Sequence, residues 1–240
     1  YIVNQKQRLS AGFWFQTTER EIPPTLTMNT SDQLQWDQAI RSSLQWIYTV
    51  KNQSFTVRSA FIDEKEHYQS ENADIDAFYH INTLQAEFEY KRYLSKQVML
   101  GSGITGRIIR ADIPYYAGTE YQPEGSAWMA FAYTHSPTGI KSALNLRQDF
   151  AKGYTVPFCP AFSAEIPVTK QISANFGVSR NFRVPTMNDR YWVPGGNPDL
   201  EPESSWNAET GASFSFSTGK SIQTVMAFNI YSLVIDNMRV

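Results

Sequence analysis

Apolar and polar side chains alternate along most of this chain. In LQAEFEY, Leu84, Ala86, Phe88 and Tyr90 fall on one side and Gln85, Glu87 and Glu89 on the other. SAWMAFAYT groups Ala127, Met129, Phe131 and Tyr133; QISANFGVS groups Ile172, Ala174, Phe176 and Val178; SIQTVMAFNIYS groups Ile222, Met226, Phe228 and Ile230. A period of two marks a strand with one apolar and one polar face, and helical periodicity is almost absent. Strand cores are expected over 6–20, 33–50, 54–66, 78–93, 97–110, 125–136, 140–152, 158–168, 171–183, 207–217 and 221–235, about eleven in all.

The connections alternate too. Short ones are expected at 51–54, 94–97, 136–139, 169–170 and 218–220, long ones at 21–32, 67–77, 111–124 and 184–206, with 153–157 a shorter member of the second set. That rhythm predicts consecutive antiparallel hairpins with every long loop at one end. No insert suggests a βαβ unit, and no repeat of about 20–50 residues is present.

Both a soluble sandwich and a membrane barrel alternate in this way. Three features favour the barrel. Several strands run past the usual soluble length of about 5–6 residues. Short turns at one end and long loops at the other are the outer-membrane pattern. Aromatics sit at the ends of apolar faces: Leu34, Trp36, Ile40, Leu44, Trp46 and Tyr48 share a side. Trp36 and Trp46 would stand about 33 Å apart along a strand, or about 23 Å along the normal at a tilt of about 45°, near the ~25 Å apolar band of such barrels. The opposite side, with Asp37, Arg41 and Gln45 or Glu87, Glu89 and Lys91, suits a wet lumen. The expected fold is therefore all-β, an antiparallel transmembrane β-barrel. Single-chain bacterial barrels have even strand numbers and no open edge, so about eleven strands, running from Tyr1 to Val240, predict an incomplete set from a larger barrel, with residues 1–240 as part of one barrel domain. A soluble β-sandwich binding module, with its apolar faces turned inward, is the structural alternative.

Composition narrows the functions. The 240 residues are 42% hydrophobic, 18% charged and 14% aromatic, with a formal net charge of -2. No basic block exists, so nucleic acid is not an expected partner. Cys159 is the single cysteine, which rules out an intrachain disulfide and a Cys-based zinc site; a small packing or lipid-facing role suits it. No run of about 18 apolar residues could form a membrane helix, and no signal peptide is visible at YIVNQKQRLS. His67, His80 and His135 show no ligand spacing. Asp74-x-Asp76, in an acidic stretch, has a spacing oxygen-seeking cations accept, so calcium is possible; without an EF-hand ligand string a solvated loop is the plainer reading, and no metal site is assigned. Ser142, His135 and Asp149 make a triad only on paper, with His135 at a predicted turn, so no enzyme activity and no cofactor are expected.

The least ordinary stretch is SRNFRVPTMNDRYWVPGGNPDLEPESSWNAETG, 179–211. Pro185 removes a ladder donor where a strand should end, and Asn197-Pro198 and Glu201-Pro202 hold extended backbone on either side of Leu200. These residues resemble the signature in the C-terminal barrel half of TonB-dependent outer-membrane receptors. Phe182, Arg183, Pro185 and Thr186 match a Phe-Arg-x-Pro-Thr element. Asn197, Pro198, Asp199, Leu200, Pro202 and Glu203 match an Asn-Pro-x-Leu-x-Pro-Glu element, and Glu209 and Gly211 a Glu-x-Gly strand opening. EREIPPT at 19–25 also looks like a loop common in such relatives.

The resemblance implies a bacterial outer-membrane transporter with a barrel of about 22 strands and an N-terminal plug inside it. A ferric siderophore, haem or cobalamin would enter from outside, driven through an N-terminal box that pairs with the TonB complex. Plug, first strands and last strands would lie outside these residues. Haem receptors of the family typically carry a His between the two proline-containing elements; TMNDRYWVPGG has none, which leaves siderophore or cobalamin. A passive porin-like channel in the same lipid bilayer is the functional alternative. The motif residues are expected to fix a loop base. Ligand contact is expected from Tyr115, Tyr116, Tyr121, Arg190, Tyr191 and Trp192, since flat aromatics stack on metal chelates and Arg pairs with carboxylates.

Overall fold

The alternating segments form one antiparallel sheet. A computed structural model of the chain describes residues 2–23, 32–70, 74–218 and 222–236. A three-residue strand β1 (Ile2–Asn4) precedes eleven long ones: β2 (Gln7–Glu21), β3 (Gln33–Val50), β4 (Gln53–Ser70), β5 (Ile75–Tyr93), β6 (Val98–Asp112), β7 (Glu120–His135), β8 (Ile140–Ala151), β9 (Cys159–Pro167), β10 (Ile172–Arg183), β11 (Glu203–Thr218) and β12 (Ile222–Asp236). Each pairs with its neighbour in sequence, and β1 and β12 stand at opposite edges. Among the described residues no second sheet covers either face, so the sandwich alternative fails. The expected antiparallel, sequential order of barrel strands is what is found.

Short turns join β3 to β4, β5 to β6, β7 to β8 and β9 to β10 at one end. At the other end lie the connections 113–119, 152–158 and 184–202. Residues 24–31 and 219–221 are outside the described set, and with them Pro24 and Thr25 of the 19–25 element. One expected long loop is short: β4 and β5 continue to Ser70 and from Ile75. The strands outrun their apolar alternation, because polar side chains pair across them as well as apolar ones do. His67 Nε2 lies 2.5 Å from Asp76 Oδ1 across this hairpin, and Asp74 turns the chain at φ 51°. The cation spacing at Asp74 and Asp76 thus belongs to a tight turn and a cross-strand pair. Among the described residues no group of three or more His, Cys, Asp or Glu could hold a metal.

Register assigns every strand residue to a face. One row of partners runs Gln7, Tyr48, Phe55, Tyr90, Ser102, Met129, Leu146, Pro160. Side chains of this parity make the apolar face, which includes Phe13, Leu44, Phe61, Leu84, Ile108, Phe131, Phe162, Phe176 and Phe228, all well exposed. On β4 the apolar run is Phe55 to Phe61, with Phe55 nearest the short turns. On β9 it is Pro160 to Ile166, with Pro160 nearest the long loops. Phe55 and Pro160 share a row, so the apolar band slides by its own width, about six positions, between β4 and β9. That is about 4 Å per strand step of about 4.8 Å, an inclination near 40° between strands and band. Barrel strands tilt by about 35–45°, so the drift of the apolar band carries barrel geometry.

The band has a defined lower edge. Trp46, Tyr48, Phe55 and Tyr90 follow one another with ring centres 5.0–6.1 Å apart. Trp46 donates its indole N–H to Gln7 and Tyr90 its hydroxyl to Gln53, both nearer the short turns. Apolar ring on the band and polar handle off it is the placement interfacial aromatics favour. Trp36 does not mark the opposite edge, contrary to its spacing from Trp46. On β4–β6 the band ends at Phe61, Leu84 and Ile108. A polar strip of Asp63, His80, Asn82 and Arg110 follows, with His80 2.7 Å from Asp63 and Arg110 3.1 Å from Asn82. Trp36 lies beyond that strip, stacked on His67 at 5.2 Å.

The other face is polar and laced with ion pairs: Arg41–Glu64 at 2.6 Å, Arg58–Glu87 at 2.8 Å, Lys91–Glu89 at 2.9 Å and Arg147–Asp149 at 2.7 Å. Each is partly exposed and contributes at most about 1 kcal/mol. Cys159, opposite Arg147 in the ladder, belongs to this polar face and not to the apolar one. Ser142 shares the parity of Tyr133 and Asp149 that of Ser126, so the paper triad is split between faces.

Trp128 lies flat on the polar face over Gly101 and Gly103; a Cβ on Gly103 would come 2.7 Å from its indole and 2.8 Å from the Phe88 carbonyl oxygen. Backbone cannot give way as a side-chain tip can, so Gly103→Val is expected to cost about 1–3 kcal/mol. The melting midpoint in detergent, read from the heat-modifiable gel shift, should fall for Gly103→Val and stay near wild type for Gly106→Val, whose Cβ would meet nothing within 4 Å.

Candidate functional site: a loop cluster at the mouth

The three long connections meet at one end of the sheet. The β10–β11 connection is the most structured. Its register closes with Phe182 opposite Ser204 and Arg183 opposite Glu203, so β11 begins four positions before the expected core. Pro185, which is buried, stops the ladder. Thr186 then caps a five-residue helix α1 (Met187–Tyr191): its hydroxyl accepts from the Asp189 N–H at 3.2 Å, and the Asp189 carboxylate accepts from the Thr186 N–H at 2.8 Å. This reciprocal box satisfies two orphan donors. Its signal, Thr-x-x-Asp, was present in the sequence but too short to register as helical periodicity.

After α1 the chain folds back. Gly196 N–H donates to the Trp192 carbonyl at 2.6 Å and Asn197 N–H to the Asp189 carbonyl at 2.8 Å, while the Asn197 side chain accepts from the Asp199 N–H at 3.0 Å. The proline-rich element therefore works as expected, as a loop base. The Glu-x-Gly element has an equally local account. Glu209 lies across Gly177, where a Cβ would come 2.9 Å from its side chain. Gly211 stands between Asn175 and Asn229 in one row, and the two amides bond over it at 3.1 Å.

The hydrophobic centre of the mouth is small: Ala111, Ile113 and Tyr116 are buried, with Tyr79, Ile81, Tyr115, Met187, Tyr191 and Trp192 packed on them. Tyr79 and Ile81 belong to the polar-face parity of β5, so the loops fold inward over that face. Tyr115 stacks on Trp192 with centroids 4.5 Å apart, and the Val193 N–H donates to the Tyr115 carbonyl at 2.8 Å. Tyr116 packs against Tyr191 at 5.9 Å and donates its hydroxyl to the Asn188 side chain. The Arg190 guanidinium sits between two rings, 4.9 Å from the centre of Tyr154 and 4.8 Å from Tyr191, and so ties in the 152–158 loop.

Of the six residues selected for ligand contact, Tyr115, Tyr116, Arg190, Tyr191 and Trp192 come together here. Tyr121 stays apart: it pairs with Arg110 on the apolar-face parity of β7. Tyr116 is buried. Sequence reasoning passed over Tyr154 and Asn188, which carry no motif and become visible only through their contacts with Arg190 and Tyr116. All three histidines share the parity of the apolar face, His67 and His80 on the β4–β5 hairpin and His135 at the short-turn end, so none turns into the mouth.

A wall of sequential antiparallel strands, apolar on one side, ionic on the other and inclined as barrel strands are, with ordered loops folded over the ionic side, defines a segment of a β-barrel receptor wall. The chain belongs to the TonB dependent receptor-like β-barrel family, whose profile matches residues 4–238. Barrels of this family are bacterial outer-membrane proteins, and the family is one of receptors and transporters rather than enzymes.

Among solved structures, the siderophore receptor PirA from Pseudomonas aeruginosa matches with a TM-score of 0.79 at 13% identity over 97% of this chain. The hemophore receptor HasR from Serratia marcescens, solved with its hemophore HasA and heme, matches with a TM-score of 0.77 at 11% identity over 97%. The chain spans 44% of each of those two chains. A vitamin B12 transporter BtuB from Photobacterium profundum is 39% identical over 46 residues, 19% of this chain and 8% of that protein. At these identities the two solved structures speak for the fold.

Burial, and then the carboxylates of Asp189 and Glu120, push the Tyr116 hydroxyl up to about 12 from an ordinary 10.0. The neutral form is therefore the one that docks. Its contribution is complete below an ordinary tyrosine's range, near pH 10.0, and is lost as pH rises through about 12. An alkaline titration followed by hydrogen exchange at Val193 should show loop release in that window. Tyr116→Phe should abolish the window and loosen the loop by about 1 kcal/mol at neutral pH.

Proposed function

We propose that this chain is part of the barrel of an outer-membrane receptor that binds a scarce metal chelate, a ferric siderophore or cobalamin, and imports it by TonB-coupled active transport. Residues 1–240 are then part of one barrel domain of about 22 strands, with plug and TonB box on further chain. The observation that carries this reading is the convergence of three loops on Tyr115, Arg190, Tyr191 and Trp192 over the ionic face. The apolar face meets lipid in it. Strands of 18 and 19 residues span roughly 60 Å at about 3.3 Å per residue, and at the inclination above about 45 Å along the normal. The apolar band needs about 25 Å, so about 20 Å of β3–β5 stands outside the membrane. That places the polar strip and Trp36 in the headgroup zone and beyond.

Tyr115 and Trp192 supply the flat apolar surface and Arg190 the cation for a chelate, while Tyr116 positions them through Asn188. Tyr121 takes a headgroup position instead. With no histidine in the interval between the two proline-containing elements and none turned into the mouth, a haem iron has no ligand from this chain. Family membership favours a coupled receptor over a passive channel.

Growth of a deletion strain on single ferric siderophores or cobalamin should fail for one source and return with the whole gene. Trp192→Ala should weaken whole-cell binding of that chelate about three- to tenfold, the value of one aromatic stack. Uptake should stop when the proton gradient is dissipated, with binding retained. Normal growth on every source would defeat the chelate reading, and uptake indifferent to the gradient would support the passive channel.

A further inference from the structure

One charge interrupts the apolar face of β10: after Ile172, Ala174, Phe176 and Val178 comes Arg180. Trp206 stands opposite it on β11, and its guanidinium carbon is 5.9 Å from the centre of that ring. Its Nε is buried without a hydrogen-bond partner, and among the described residues no ion pair holds it. Arg180 and Ser204 are the strand residues lining a cleft of about 610 Å³, walled by Pro157 on one side and Asp199, Leu200 and Glu201 on the other. Both strand residues have apolar-face parity, so the cleft opens at the long-loop edge of the apolar band. Below it Phe162 and Phe176 pack with centroids 6.4 Å apart.

A spare guanidinium donor at the edge of an apolar surface recognises an anion whose remainder is apolar. Carboxylates on the same cleft accept from hydroxyls or an amine. One molecule offers all three chemistries together. We propose that this cleft seats the phosphorylated sugar headgroup of an outer-leaflet glycolipid, with Arg180 on the phosphate, Asp199 and Glu201 toward sugar hydroxyls, and the acyl chains over Phe176 and Phe162. The proposal rests on the reading that the apolar face meets outer-membrane lipid. Arg is suited to the task because its fork binds phosphate oxygens in pairs and keeps its charge beside apolar surface. Trp206 holds the guanidinium plane from below.

The test uses the full-length receptor in phosphatidylcholine nanodiscs doped with diphosphoryl lipid A, with retained lipid A counted by mass spectrometry after gel filtration. Wild type should retain it, Arg180→Ala should lower the apparent affinity roughly tenfold, as loss of charge-assisted hydrogen bonds does, and Arg180→Lys should restore part of it. Dephosphorylated lipid A should bind wild type as weakly as the diphosphoryl form binds Arg180→Ala, an arm that needs no variant to fold. Equal retention by wild type and Arg180→Ala, or of both lipids by wild type, overturns the proposal. Displacement of lipid A by millimolar inorganic phosphate would assign the site to a free anion and overturn it as well. If the wild-type protein is missing from the outer-membrane fraction, the receptor reading fails instead; if it is present and heat-modifiable but indifferent to Arg180, only the lipid seat fails.

Discussion

Everything in this chain depends on register. A single-layer sheet has no buried core to choose its pairing, and among the described residues the five buried apolar side chains include three alanines. What fixes each strand is that a slip of one residue would exchange the apolar and ionic faces along its whole length. The ion pairs on one face and the aromatic chain on the other make that exchange costly on both sides at once. Arg58 against Glu87 and Phe55 against Tyr90 belong to the same β4–β5 register, and neither survives a slip that the other does not.

Register also sets inclination. The apolar band moves by about one position per strand relative to the hydrogen-bonded rows, so the strands cannot run upright while the band stays level. The same displacement explains why a row that begins at interfacial Gln7 and Tyr48 ends at Leu146 and Pro160 on the far side of the band. It also puts the aromatic neighbours of each edge on different rows. Trp46 marks the lower edge on β3, and Trp206 beside Arg180 marks the upper edge on β11, so the two edges have no match in simple sequence spacing.

That is the boundary of what the sequence could disclose. Alternation located the long strands because the period of two is local to each strand, and the connections at 94–97 and 136–139 coincide with the gaps between strands. Misplacements occurred where apolar alternation and pairing part company. The β4–β5 hairpin continues on polar pairs such as His67 with Asp76. The Trp36–Trp46 spacing looked like two edges of one band because the intervening polar strip comes from neighbouring strands: Asp63, His80, Asn82 and Arg110 are contributed by β4, β5 and β6. The start of β11 was missed because Glu203, Ser204 and Ser205 are polar, yet they pair with β10. The helix α1 escaped because five residues held by a capping box have no periodicity to see.

The site divides along the same line. Tyr115, Arg190, Tyr191 and Trp192 were legible as chemistry, being aromatics and a cation on long loops, and the fold brings them together. Tyr121 has the same chemistry, but parity sends it to the other face, and parity near a strand end depends on where the strand begins. Tyr116 was legible as an aromatic and illegible as a buried one. Its depth follows from Ile113 and Ala111 beneath it and from α1 above it, two segments far apart in the chain. The cluster is thus assembled before any chelate arrives: each aromatic pair contributes about 0.5–1.5 kcal/mol beyond its area, and Tyr115–Trp192, Tyr116–Tyr191 and the Arg190 sandwich act on the same set of loops. A cargo that met these side chains would find them ordered, so the conformational entropy of fixing them falls on folding and not on binding.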